Sequence, residues 1–233
     1  MNTAEQPTVS TGSDAPDEQS PEPVVVVMLG PAPDRATGNL SVALGVVNLV
    51  AGGFLIVMFV SLAQGGSTAP WGPINDALAA AGNILLTLVL PRISRNAARS
   101  RLARGFVRAT AVASLVSAVS GLLLVVRVLP FEPSTAISMV AIVLQCAWML
   151  WLSRTWARDP RVPAAIWRFG LIAGLGLLAG MVLVGASLLL PFGSTAANLL
   201  LIPGVAGGGV AWLAWPLWYV LLGRHLRRTD AAR

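Results

Sequence analysis

The chain has 233 residues, 55% of them hydrophobic and only 11% charged, and its mean hydropathy of +0.74 excludes an ordinary soluble domain. Sixteen basic residues, all arginine, face ten acids, and the net charge of +6 resides in connections between apolar stretches, so it calls for no nucleic-acid partner. A single cysteine, Cys146, excludes an intramolecular disulfide and a cysteine-based metal site.

Residues 1–38 are polar, proline-punctuated and acidic, with Glu5, Asp14, Asp17, Glu18, Glu22 and Asp34 against Arg35 alone. This composition predicts a disordered cytoplasmic tail. Its apolar run, 24–29, is far short of the about 20 residues a membrane-spanning helix needs. The residues before that run are acidic where a signal peptide requires a basic region.

From Leu40 onward the pattern changes to apolar stretches at 40–62, 73–91, 109–129, 136–153, 167–190 and 197–222. They predict an all-α, polytopic transmembrane bundle of six helices over 39–223, followed by a basic tail at 224–233. The connections alternate in character. Segments 63–72 and 191–196 carry no charge and 130–135 carries only Glu132, whereas 92–108 and 154–168 hold ten arginines between them. Arginine-rich short connections stay cytoplasmic, which predicts a multi-pass plasma-membrane protein with both termini inside. Arginine without lysine, beside many alanines and glycines, suggests a GC-rich bacterial source. Seven of the eight tryptophans fall toward the cytoplasmic side and only Trp71 toward the other, the pattern of a lopsided interfacial belt.

The run 92–108 holds six arginines and no acid. At about 100° per residue, Arg92, Arg95 and Arg99 form one helical stripe, and Arg101, Arg104 and Arg108 another, roughly opposite. A single amphipathic helix would not look so. The pattern predicts a break near Ser100, one trio at the exit of a helix and the other at the entry of the next, both facing anionic lipid of the inner leaflet. No aromatic residue interleaves the first five arginines, as a base-stacking surface would want.

The three outer turns read GGSTAP at 65–70, FEPSTA at 131–136 and FGSTAA at 192–197, so the expected unit is an αα-hairpin used three times. The residues Arg161, Val162, Pro163, Ile166, Trp167, Arg168 and Gly170, together with the closing WYVLLGR at 218–224, resemble functionally uncharacterised bacterial six-helix integral membrane proteins. The resemblance spans residues 161–224 and implies the six-helix architecture alone, with no substrate or catalytic residue to carry over.

No motif for catalysis, a cofactor or a metal emerges. The only histidine, His225, stands among arginines beyond the last span, and no acid or base lies near the centre of any span. Zinc sites, Ser-His relays and proton relays all require more. Three charges fall toward the outer face, Asp76, Arg127 and Glu132, and pairing among them would relieve the cost of Arg127 near hydrocarbon. Small residues at close spacing, namely Thr110, Ser114, Ser117 and Gly121, then Gly170 with Gly174, Gly176 with Gly180 and Gly204 with Gly208, predict close helix approaches. Pro91, Pro203 and Pro216 mark possible kinks or breaks.

Finally, the arginines locate a polar layer. Nine residues back from Arg92 and Arg154 lie Asn83 and Gln145; nine forward from Arg108 lies Ser117, and about eight into the first span lies Asn48. At 1.5 Å per residue these four sit roughly 13 Å from the inner boundary, near the midplane. Amides there are expected to face the bundle interior and to bond between helices, Asn48 with Asn83 first. The expected function is a non-enzymatic membrane subunit or regulator with a membrane-protein partner; the alternative is a small-solute transporter or channel that uses the polar layer as a station.

Overall fold

The computed structural model describes residues 34–191 and 193–231, so the expected tail at 1–33 and its apolar run lie outside the described residues. Six helices make up the architecture, α1 (Arg35–Ala63), α2 (Trp71–Ser94), α3 (Arg101–Val125), α4 (Phe131–Trp156), α5 (Ala164–Ser187) and α6 (Thr195–Ala231), with no strand among the described residues. Each is long and apolar enough to cross a membrane. Even the 24-residue helices reach about 36 Å against a hydrocarbon core of about 30 Å.

Helix starts are set by side chains that satisfy free backbone N–H groups. Asp34 accepts from the Ala36 N–H at 3.0 Å and from the Thr37 hydroxyl, and this begins α1 at Arg35, inside the stretch expected to be tail. The Thr37 hydroxyl bond holds the Asp34 carboxyl below its usual value of 3.8. A depressed pKa contributes stability at every pH above 3.8, lost as pH falls through the folded value. Asp34→Ala is therefore expected to weaken this end by about 0.5–2 kcal/mol at neutral pH. Amide exchange at Ala36 and Gly38 reads it; wild-type protection that varies between pH 6 and 8 would contradict the assignment.

The chain turns over 95–100, and Ser100 caps α3 by accepting from the Ala103 N–H at 3.0 Å. The break thus sits where the two arginine stripes place it. The second trio belongs to the first turns of α3, which begins before the apolar pattern does. At the far end α6 runs through 224–231, because Leu222 and Leu226 are buried on its inner face. Pro91, Pro203 and Pro216 all lie inside continuous helices.

The helices form three antiparallel hairpins arranged as a closed ring. Each helix packs mainly on its neighbours in sequence, and α6 packs back on α1. Glycines permit the closest crossings. A Cβ on Gly180 of α5 would lie 2.6 Å from the Gly208 Cα of α6, and a Cβ on Gly45 of α1 would lie 2.5 Å from the Pro216 carbonyl. Gly38 and Gly223 meet in the same way nearer the termini.

The two halves of the ring interior differ. In the half nearest the arginines, Trp148, Trp156, Trp218 and Tyr219 are fully buried with Leu90, Ile93, Met149 and Leu152. Trp156 stacks on Trp218 at 6.0 Å, and Trp148 and Tyr219 meet Trp218 edge-on at 6.2 and 4.9 Å. The expected interfacial belt is therefore corrected for these residues: they form a core. Two of their polar edges find partners inside, Trp148 Nε1 donating to Ser94 Oγ and Trp218 Nε1 to the Ile166 carbonyl, at 2.9 and 2.8 Å, whereas Trp156 Nε1 and the Tyr219 hydroxyl are buried without one.

Candidate functional site

The other half of the ring interior is hollow. A cavity of about 400 Å³ is walled by α1, α2, α3, α4 and α6. It reaches from the first turns of α2 and α4, at Gly72 and Phe131, down to Asn83 and Gln145, about 20 Å along the bundle axis. Trp215 and Pro216 stand at its deep end. One turn further along α6 begins the aromatic core, with Tyr219 tilted against Trp215 at 6.3 Å. The cavity is thus closed toward the arginines.

All four residues of the expected polar layer, Asn48, Asn83, Ser117 and Gln145, line this cavity. Gln145 is 1% exposed, and its Nε2 donates at 2.9 Å both to Asn83 Oδ1 and to Ser114 Oγ, joining α4 to α2 and α3. Ser114 passes the chain on to the Thr110 carbonyl at 2.9 Å. The Gln145 Oε1 is buried and has no hydrogen-bond partner.

Asn83 is thereby engaged with α4, and the expected Asn48–Asn83 bond does not form. Asn48 lies instead against Gly82, where any Cβ would collide with its amide. The missing side chain at Gly82 lets α1 and α2 come close. Ser117 pairs with Ser138 at 3.2 Å, and Ser120 donates to Ser134 at 3.0 Å. These hydroxyl pairs tie α3 to α4, and Ser134 and Ser138 share the cavity wall with Thr135.

The three outer charges do not form a cluster. Asp76 is half-buried in the cavity wall and accepts from the Asn75 amide at 3.2 Å. Arg127 and Glu132 are exposed, and among the described residues neither ion-pairs with Asp76 or with the other. Both reach solvent at the α3–α4 turn, Arg127 with φ of 59°, so neither requires a partner. The outer clamp expected from the sequence is replaced by one carboxylate inside the cavity.

At the opposite end Arg92, Arg95, Arg99, Arg101, Arg104 and Arg108 are all exposed. Arg104 donates to the Arg99 carbonyl at 2.8 Å and Arg99 to the Asn96 carbonyl at 3.2 Å, which bind the turn together across the Ser100 cap. Nearby, Asp159 is buried in the α4–α5 connection and holds Arg161 at 3.1 Å, an ion pair that sequence reasoning did not single out.

Several wall residues also escaped it. Ser114 was seen only as a small packing residue, yet it accepts from Gln145. Ser134, Ser138 and Asn75 had a usable signal: each lies about one to two turns from the end of a hairpin opposite the arginine clusters, where polar side chains in an apolar helix need an interior surface. Among the described residues no three of His, Cys, Asp and Glu come together. Within a mostly apolar wall the polar groups are amides, hydroxyls and one carboxylate, a set that binds by hydrogen bonds and charge.

A ring of six apolar helices around a mostly apolar cavity that carries a few polar groups has the features of a multi-pass membrane protein. Compared with family models, curated proteins and solved structures, the chain matches none, and no resemblance to a family is shown.

Proposed function

We propose that the chain is a bacterial plasma-membrane protein that receives a small polar solute in its helix ring, as a transporter or channel-type component. In this reading the arginine end is cytoplasmic and the cavity opens outward. Connections rich in arginine are retained on the inner side, which supports the orientation. The exposed arginines at that end suit the phosphates of anionic lipid. The observation that carries the solute reading is the cavity itself, whose volume lies in the small-molecule range and whose wall gathers polar side chains from four helices. Polar groups this deep in a membrane are costly unless they face one another or water, and functional paths are built from them. A regulator acting only through helix packing would have no use for such a hollow.

The test uses single cysteines on α4 in a Cys146→Ser background, with the full chain in a bilayer. Ser138 lines the cavity, Val140 is exposed on the outer surface and Ala141 is buried. A neutral, hydrophilic thiol reagent is expected to modify Ser138→Cys at least about tenfold faster than Val140→Cys or Ala141→Cys, because thiolate forms only where water reaches. Equal, slow rates at all three would mean a dry interior and return the regulator reading.

A further inference from the structure

We infer that the cavity selects a small organic cation of the ammonium class, with Asp76 as its counter-charge. The inference rests on the solute reading above and adds the sign of the charge. Asp76 is the only ionisable side chain in the described wall, and no arginine shares that wall. Its one hydrogen-bond partner is the amide of the adjacent Asn75, which is neutral. A carboxylate set into a membrane bundle without a cation beside it is held in its charged form when a cation from outside joins it.

Two further features of the wall agree in sign. At the deep end, Gln145 Oε1 is a buried acceptor without a donor, and leaving such an atom unsatisfied is unfavourable. An ammonium group supplies donors, whereas an anion would add to the surplus of acceptors. Phe59, Phe131, Trp212 and Trp215 bring aromatic rings to the same cavity, and ring faces attract cations, Trp most strongly. The volume of about 400 Å³ suits a compact amine. On the outer surface the described charges at this end are Glu132 and Arg127, opposite in sign, so they leave the carboxylate to set the local potential.

Charge-matched thiol reagents decide the matter. In Ser138→Cys with Cys146→Ser, the modification rates by 2-(trimethylammonium)ethyl methanethiosulfonate and by the anionic 2-sulfonatoethyl reagent are taken as a ratio, divided by the same ratio for a free thiol in solution. The focused field of one carboxylate in a low-dielectric cleft raises local cation concentration by about tenfold or more, and the normalised ratio is expected to be at least that. Asp76→Asn is expected to bring it to near one, while Glu132→Gln leaves it within about twofold, since exposed charges are screened beyond about 8 Å. A ratio near one in the parent, a preference that survives Asp76→Asn, or one abolished by Glu132→Gln overturns the inference. Thr135→Cys, one turn toward the mouth on the same wall, serves if the Ser138 variant does not fold. The neutral reagent separates the two levels of the argument. If it reaches the cysteine and no cation preference appears, the pocket stands and the cation falls; if it fails to reach either cysteine, both fall.

Discussion

Trp218→Ala is expected to destabilise the folded chain by about 3–5 kcal/mol. The side chain is 0% exposed, stacks on Trp156, meets Trp148 and Tyr219 edge-on, and closes the α5–α6 contact through its bond to the Ile166 carbonyl. In a bilayer the gain does not come from leaving water, because lipid is as apolar as the core. It comes from packing contacts and from the satisfied N–H, both lost together when the ring is removed. Unfolding of detergent-solubilised protein measures the effect. Trp71→Ala is the reference: Trp71 is half-buried and its ring contact is with Phe54 alone, at 6.0 Å. Comparable losses for the two would show that the aromatic core does not hold the arginine end together.

The second large effect is expected at the α5–α6 crossing. Gly180→Leu must push apart two backbones, since the first added carbon already sits 2.6 Å from the Gly208 Cα and 3.0 Å from the Gly204 carbonyl. No side chain is available to move aside. Overpacking of a tight contact costs about 1–3 kcal/mol, and a crossing without slack is expected at or above the upper end. On the same helix Gly185 has nothing within 4 Å of its added Cβ, so Gly185→Ala is expected to be neutral or stabilising by up to about 1 kcal/mol. Thermal unfolding of the two variants should move in opposite directions. A mild loss for Gly180→Leu would mean that the hairpin is not held by this contact.

The elements were legible because their signals are local. Runs of apolar residues, the arginines between them and Ser100 within the break depend only on neighbours in the chain. Depth was legible too, since counting from Arg92, Arg108 and Arg154 is a measurement along a helix axis, and the four residues so reached line one cavity. Rotation about those axes was not. Helices α1 and α5 have no sustained polar face, so nothing in the sequence says that Gly38 and Gly45 meet α6, or that Asn83 of α2 turns to Gln145 and not to Asn48. The tryptophans misled for a related reason. Their number toward one end suits a belt or a core equally, and only the inward bonds of Trp148 and Trp218 distinguish them. Asp76 likewise sits near a helix start, where a charge is ordinarily solvated; that its carboxylate enters a cavity follows from how five helices close around it.

That closure also sets an order of events during synthesis. Five of the six extensive helix–helix contacts of the ring join elements adjacent in sequence and can form as the helices are inserted, whereas the sixth, the α1–α6 seam, joins the first helix to the last. Roughly 130 residues separate them, about 7–26 s of translation at 5–20 residues per second. Until α6 arrives the assembly is a horseshoe, with the glycine face of α1 uncovered and the wall bearing Asn48, Asn83 and Gln145 open sideways to lipid. The final helix therefore does two things in one step: it completes the pocket, and it covers the glycine face of α1.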